Sequence, residues 1–258
     1  MSHPSHFQAI LRESRPSSGF LDFPVCISSH LSFRTLIARI VCGSYLSLMG
    51  FSASVSAKDT YMGRELADVM GPGGMDWLER DNRESEERVS ELIAAMALKP
   101  GMQVADIGAG SGLLSRMMSP KVLPGGTIHA VDIQQEMLDR LSKQSAAAGI
   151  KNIKPILGTT VSTKLKPASV DVALMVDVYH EFNNPLVMLK NISDALKKGG
   201  TSVLVEYRGE DPNVPIREQH KMTLKQIKKE FGRKELGLQW LRVDSRLPRQ
   251  HIVFFEKR

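Results

Sequence analysis

Cysteine is scarce in this sequence, and its placement excludes several kinds of chemistry. The 258 residues contain two cysteines, Cys26 and Cys42, and none follows Lys58. A chain processed before Lys58 would therefore have no disulfide, no thiolate nucleophile and no cysteine-ligated metal ion. On this basis we expect no metal site.

Dense blocks of charge and long apolar runs are also missing. The net charge is +6, but lysines and arginines are scattered, apart from a basic stretch at 221–234. Nucleic-acid binding is therefore not expected. The apolar run at 40–51 is shorter than the roughly 20 residues of a transmembrane helix, so we expect no membrane span in a mature chain.

Residues 1–57 have the pattern of a leader followed by a secretory signal peptide. A segment at 1–32 without periodicity, expected to be disordered, precedes Arg34 and Arg39, the apolar run and the small residues of Val55-Ser-Ala57. This order predicts cleavage after Ala57 and an exported, periplasmic protein. An uncleaved anchor, a transit peptide and a buried helix remain open, and with them a membrane-anchored or cytoplasmic location.

A glycine-rich turn between a strand and a helix is the central motif. The apolar run Val104–Ile107 is followed by glycines at 108, 110 and 112 and then by a helix-like segment. Such a turn brings backbone N–H groups close to a ligand. A second strand ends in Asp132, where a carboxylate can bind both ribose hydroxyls. The dinucleotide fingerprint requires a third glycine at the position of Leu113, which disfavours nicotinamide cofactors.

This ordered set resembles the signature of class I S-adenosylmethionine (SAM)-dependent methyltransferases. The resemblance rests on Asp106, the three glycines and Asp132, and it extends to the segments 171–177 and 196–200. It implies SAM as the cofactor. It also implies an α/β, Rossmann-like fold with a seven-stranded, mostly parallel sheet, helices on both faces and an antiparallel C-terminal strand.

Alternation of strand and helix patterns predicts the same fold. The predicted strands are 103–107, 127–132, 153–157, 170–176, 202–207, 238–244 and 250–256. The predicted helices are 79–98, 113–119, 134–148, 185–196 and 216–231. We divide the chain into the leader and signal peptide (1–57), an N-terminal lid segment and helix (58–98) and a SAM-binding domain (99–258).

Ligands of open α/β sheets bind beyond the carboxyl ends of the strands, which gives a defined set of cofactor contacts. Asp106 is expected to orient the glycine loop or to meet the SAM ammonium through water, and Ile133 to flank the adenine. The full set predicted to bind the cofactor is Asp106, Gly108, Gly110, Gly112, Asp132, Ile133, Gly158 and Thr159.

The segment after the fourth predicted strand is the expected catalytic region. It resembles Asp-x-x-His segments of small-molecule methyltransferases, including quinone-type enzymes, and we assign catalytic or acceptor-binding roles to Asp177, Tyr179 and His180. His180 could accept a proton from the acceptor, and packing against the sheet is an equally open role. Structural roles are favoured for Glu206, Arg208 and His220, as they are for Arg64, Trp77, Arg80 and Glu84.

The function expected from this pattern is transfer of a methyl group from SAM to a small-molecule acceptor. Two alternatives remain open: methylation of exported polypeptides, and binding of SAM or a nucleotide without catalysis.

Mass spectrometry of the natural N-terminus tests the predicted signal peptide. We expect the mature chain to begin at Lys58, because the small residues of Val55-Ser-Ala57 suit a signal peptidase. A mature protein that retains the run at 40–51 would contradict the prediction.

Overall fold

The computed structural model describes residues 59–258, which lie within one compact unit. The predicted leader and signal peptide fall outside the described residues. Within 59–258, every helix is too short or too polar to cross a bilayer.

The described chain alternates strands and helices as the sequence predicts. The strands are β1 Thr60–Tyr61, β2 Arg64–Glu65, β3 Gln103–Ile107, β4 Thr127–Asp132, β5 Ile153–Leu157, β6 Val170–Val176, β7 Leu196–Arg208, β8 Lys221–Met222, β9 Leu238–Asp244 and β10 Gln250–Lys257. The helices are α1 Met75–Leu78, α2 Arg83–Glu87, α3 Val89–Ala95, α4 Leu113–Val122, α5 Gln135–Ala147, α6 Pro185–Ala195 and α7 Leu224–Phe231.

One twisted sheet carries the fold. Its strand order is β5-β4-β3-β6-β7-β10-β9, and β8 pairs with β7. Strands β3 to β7 pair in parallel, whereas β10 runs antiparallel to β7 and β9. The predicted fold class is thus confirmed, with the two-residue β8 as an eighth strand. Strand order reverses between β3 and β6, which creates a crevice at their carboxyl ends.

Adjacent residues of the central strands fill two separate cores. Ala105 and Ala173 pack under α6 and α7, and Val104 and Val172 pack under α3 and α4. Successive side chains of a strand point to opposite faces, so a strand covered on both sides needs a continuous apolar run. This requirement is why the strand positions could be read from the sequence.

Two predicted helices differ from the structure. The helix predicted at 216–231 begins only at Leu224, because the Thr223 side chain accepts a hydrogen bond from the Gln226 N–H and caps it there. The chain before it forms a loop, a short 3-10 turn and β8. The helix predicted at 79–98 is broken at Arg88, which has a left-handed φ of 52°. The break lets α2 and α3 bury different faces.

A buried ion pair attaches the N-terminal hairpin to the sheet domain. The Arg64 Nε lies 2.8 Å from the Glu230 Oε1 on α7, and the Tyr179 hydroxyl donates to the same carboxylate. The Glu230 side chain is fully buried. An Arg64 Nη1 also donates to the backbone carbonyl of His180 at 3.2 Å, so the hairpin is held against the segment that follows β6.

Replacing Glu230 with glutamine tests this attachment. We expect Glu230→Gln to lower the free energy of unfolding by about 3 to 5 kcal/mol, because the Arg64 guanidinium would stay buried without a counter-charge. Urea denaturation measures the change. Asp194→Asn is the matched control, since Asp194 pairs with Lys190 on the surface and its loss should cost about 1 kcal/mol or less. Equal losses in the two variants would contradict the assignment.

Candidate active site

A cavity of about 640 Å³ opens at the carboxyl ends of β3, β4 and β6. This volume lies within the range of small-molecule sites. The β-strand ends form its floor, and the segment before α3 and the loop before α7 form its walls. Its wall residues include Val69, Met70, Trp77, Leu78, Arg83, Ile216, Arg217 and Gln219.

The glycine loop after β3 forms one edge of the cavity. Gly108 and Gly110 line it and have positive φ values of 71° and 54°. A Cβ on Gly108 would lie 2.4 Å from the Val178 side chain, so a larger residue would displace a cavity wall. Gly112 does not line the cavity. It precedes α4 and packs against Leu141, which a Cβ would meet at 2.4 Å, so its role is close packing.

Asp132 holds this loop in place. Its Oδ2 accepts a hydrogen bond from the Gly110 N–H at 2.8 Å, and its Oδ1 accepts one from the Gln134 N–H at 3.0 Å. Burial raises the pKa of Asp132 while these backbone donors lower it, and the net shift is upward. Each oxygen keeps a lone pair for a ligand hydroxyl. The neighbouring Ile133 is 38% exposed and also lines the cavity.

Asp106 lies beneath the loop and outside the main cavity. Its Oδ2 accepts a hydrogen bond from the Ser115 hydroxyl at 2.6 Å, which joins β3 to α4. Burial raises its pKa to about 6. It borders a side cavity of about 30 Å³ that it shares with Gly108 and Arg83. That volume is large enough for one water molecule.

The segment after β5 contributes threonines to the cavity. Thr159 lines it, as expected, and so does Thr160, which the sequence did not single out. Gly158 lies behind them, where its N–H donates to the Asp132 carbonyl at 2.8 Å.

Asp177 lines the cavity and has one buried oxygen without a hydrogen-bond partner. Its Oδ2 accepts a hydrogen bond from the Gln250 side chain at 2.8 Å, but its Oδ1 has no partner. Burial raises the pKa of Asp177 well above its usual value, and the Glu87 and Glu206 carboxylates add to the shift. Its φ of 49° is unusual for a residue other than glycine. A ligand donor would satisfy this oxygen.

These features fit SAM. The glycine turn allows close backbone approach, the Asp132 carboxylate has lone pairs left for ribose hydroxyls, and the unpaired Asp177 oxygen can accept from an ammonium group.

A polar cluster lies beside Asp177. The His180 Nδ1 is 2.6 Å from the Glu206 Oε2, and the His180 Nε2 is 2.9 Å from the His220 Nδ1. Burial lowers the pKa of His180, but the Glu206 carboxylate outweighs it and the pKa is raised. Burial lowers the pKa of His220, and the neighbouring His180 lowers it further. His180 is therefore the more readily protonated imidazole of the two, and His220 the more readily neutral one.

Glu181 completes this cluster, and it was not among the predicted site residues. One of its oxygens lies 3.9 Å from the His180 Nε2, and the other accepts a hydrogen bond from the Met70 N–H at 3.3 Å. Burial raises the pKa of Glu181 to about 7. A carboxyl with this pKa can change protonation state near neutral pH.

Tyr179 is not brought to the cavity. Its side chain is fully buried, its hydroxyl donates to Glu230, and its ring packs edge-on against Phe182 and Phe231. The acceptor contact expected of Tyr179 is therefore unavailable in this structure. Phe182 lines the cavity instead, because the turn at 179–181 directs Tyr179 into the core.

Two residues of the N-terminal segment differ from their expected setting. Arg83 is only 6% exposed and lines the cavity, with its Nε 2.9 Å from the Glu87 Oε2. The charged run around it is typical of a solvated helix face, so no sequence signal marked it. Trp77 also lines the cavity and stacks on Arg80 at 4.0 Å. Arg208 has a structural role and donates to the carbonyls of Leu247 and Gln250.

Comparison with known proteins identifies a family domain within the chain. Residues 105–202 match the family described as "Methyltransferase domain". The ubiquinone biosynthesis O-methyltransferase of Xanthomonas campestris is 25% identical over 114 residues, which cover 44% of this chain and 46% of the relative. The demethylmenaquinone methyltransferase of Lactococcus lactis is 28% identical over 148 residues, 55% of this chain and 57% of the relative. The chain thus spans about half the length of these curated relatives.

A solved structure extends the likeness over the sheet domain. A SAM-dependent methyltransferase from Aquifex aeolicus superposes with a TM-score of 0.67 at 20% identity, covering 72% of this chain and 98% of that one. The shared fold places the cavity where ligands of open α/β sheets bind.

The Asp132 carboxylate offers a direct test of the cofactor site. We expect Asp132→Ala to abolish SAM binding in calorimetry, because the variant loses the ribose acceptor and releases the Gly110 N–H. Asp139→Ala, an exposed change on α5, should bind as the unmodified protein does. Thermal melting of both variants verifies folding. Retained SAM affinity in Asp132→Ala would show that the site lies elsewhere.

Proposed function

We propose that this chain, whose residues 105–202 form a methyltransferase domain on the SAM-dependent methyltransferase fold, methylates a small molecule of the quinol or phenol type. One observation carries the proposal. A single cavity holds the glycine loop and Asp132 at one side and the cluster of His180, Glu181 and His220 at the other. A cofactor and an acceptor can therefore meet in one cavity.

When bound, SAM supplies a methyl group that its positive sulfonium already activates, so the chain must mainly align the acceptor and exclude water. The glycine loop and Asp132 fix the cofactor side. Apolar side chains of Val69, Met70, Phe182 and Ile216 line the remaining space and suit a flat, apolar ring.

The polar cluster suits the reacting atom of such an acceptor. His220 is half-buried and its pKa is lowered, so its imidazole is neutral at pH 7, and Glu181 has a pKa of about 7. The ionised Glu181 can accept the proton that an acceptor hydroxyl gives up on methylation, and the neutral His220 can hydrogen-bond the acceptor. His180 holds His220 in place, and Glu206 holds His180.

The names of the relatives support a small aromatic acceptor. Two curated relatives are named for ubiquinone biosynthesis and for demethylmenaquinone. We further propose that the enzyme is exported, and this location is supported by the pattern at 34–57.

A methyl-transfer assay tests this function. The full chain is incubated with tritiated-methyl SAM and with reduced naphthoquinone and catechol acceptors, and the organic extract and the protein pellet are counted separately. We expect label in the extract and none with Asp132→Ala. Label confined to protein would indicate a polypeptide substrate. SAM binding without any transfer would indicate a binding protein, and either result would overturn the proposal.

A further inference from the structure

We propose that His180, Glu181 and His220 form a binding site for one divalent transition-metal ion at the acceptor side of the cavity. The location of the site in an acceptor pocket rests on the proposed function, whereas ion binding itself requires no methyl transfer. The proposal departs from the expectation drawn from the cysteine content, because the ligands here are imidazoles and a carboxylate.

The ligand atoms already lie close together. One ligand atom from each of the three side chains falls within 4.8 Å of the others. The His180 Nε2 and the His220 Nδ1 are 2.9 Å apart. Two nitrogens bound to one ion at roughly 2.1 Å lie about 3.0 to 3.4 Å apart, so the imidazole pair needs little rearrangement.

The carboxylate needs a larger movement. The Glu181 Oε1 is 3.9 Å from the His180 Nε2 and must approach by roughly an ångström to reach bonding distance of the same ion. Its other oxygen accepts a 3.3 Å hydrogen bond from the Met70 N–H, which is long and weak. Rotation of the Glu181 side chain is therefore inexpensive.

A buried carboxylate orients the first imidazole. Glu206 is fully buried and accepts from the His180 Nδ1 at 2.6 Å, which leaves the Nε2 directed at His220. Metal-binding histidines commonly donate their second ring nitrogen to a carboxylate in this way, because it fixes the tautomer and raises the basicity of the ligand.

Acidic side chains surround the site. Carboxylates of Asp177, Glu181 and Glu206 crowd this wall, and the buried Arg83 is already paired with Glu87. Asp68 and Arg217 also face His220. A divalent ion would favour the ionised form of the carboxyl groups whose pKa burial raises.

The donor set indicates the class of ion. Two imidazoles and one carboxylate suit Zn²⁺, Fe²⁺ or Co²⁺ better than Mg²⁺, which prefers oxygen ligands. Three protein ligands leave coordination positions open towards the cavity. An acceptor oxygen can occupy one of them, which would hold a hydroxylated ring in a defined orientation.

Metal titration of the full, untagged chain without SAM or acceptor tests the site. Co²⁺ is followed by visible absorption and Zn²⁺ by calorimetry. We expect one ion per chain, with at least a tenfold loss of affinity in His220→Ala and in Glu181→Gln. Glu206→Gln, which removes no ligand, should weaken binding about 10- to 100-fold and alter the Co²⁺ spectrum, since Glu206 acts through His180.

His129→Ala is the matched control. His129 lies in the first half of β4 and hydrogen-bonds the Gln103 side chain, so its replacement should leave metal binding unchanged. The region before Lys58 contains Cys26, Cys42 and three histidines that can bind metal, but such binding would not respond to His220→Ala. Unchanged affinity in both His220→Ala and Glu181→Gln overturns the proposal, as does the absence of any bound ion. Methyl transfer by a chain that binds no ion in the titration would overturn the metal site alone, and a bound ion without transfer would overturn the proposed function alone.

Discussion

Hydrogen bonds of His180 hold both walls of the cavity against the sheet. Its side chain bonds Glu206 of β7 and His220 of the loop before α7. Its backbone carbonyl accepts from Arg64 and from the Ala67 N–H of the N-terminal segment. Since the Glu206 carboxylate is fully buried, its pairing with His180 is costly to break, and the two walls depend on it.

The strands were predictable because each central strand must be apolar on both faces. The first half of the helix predicted at 216–231 was wrong. Hydrophobic periodicity does not show where a helix is capped, and the Thr223 cap starts this helix at Leu224. The break at Arg88 has a similar origin. It depends on a left-handed residue between two helices that bury different faces, a tertiary constraint that local periodicity does not contain.

The glycine-loop side of the cavity was predictable to a larger extent than the opposite side. Asp132 and the glycines act through backbone geometry at a strand end, which short sequence motifs encode. Tyr179 and His180 are neighbours in sequence, yet one is directed into the core and the other towards the cavity by a short turn. Arg83 and Glu181 reach the site through long-range packing. Neither the charged run around Arg83 nor the segment that contains Glu181 shows by itself that these side chains are buried.

The two cavity walls that hydrogen-bond to His180 also have a distinct place along the sequence. The family domain spans residues 105–202, whereas the wall residues Trp77 and Arg83 come before it and Ile216 and His220 come after it. The glycine-loop side of the cavity thus lies within the matched domain, and much of the opposite side is formed by flanking segments. A change in either flank would therefore reshape the wall opposite the glycine loop, while the glycine loop and Asp132 keep their places.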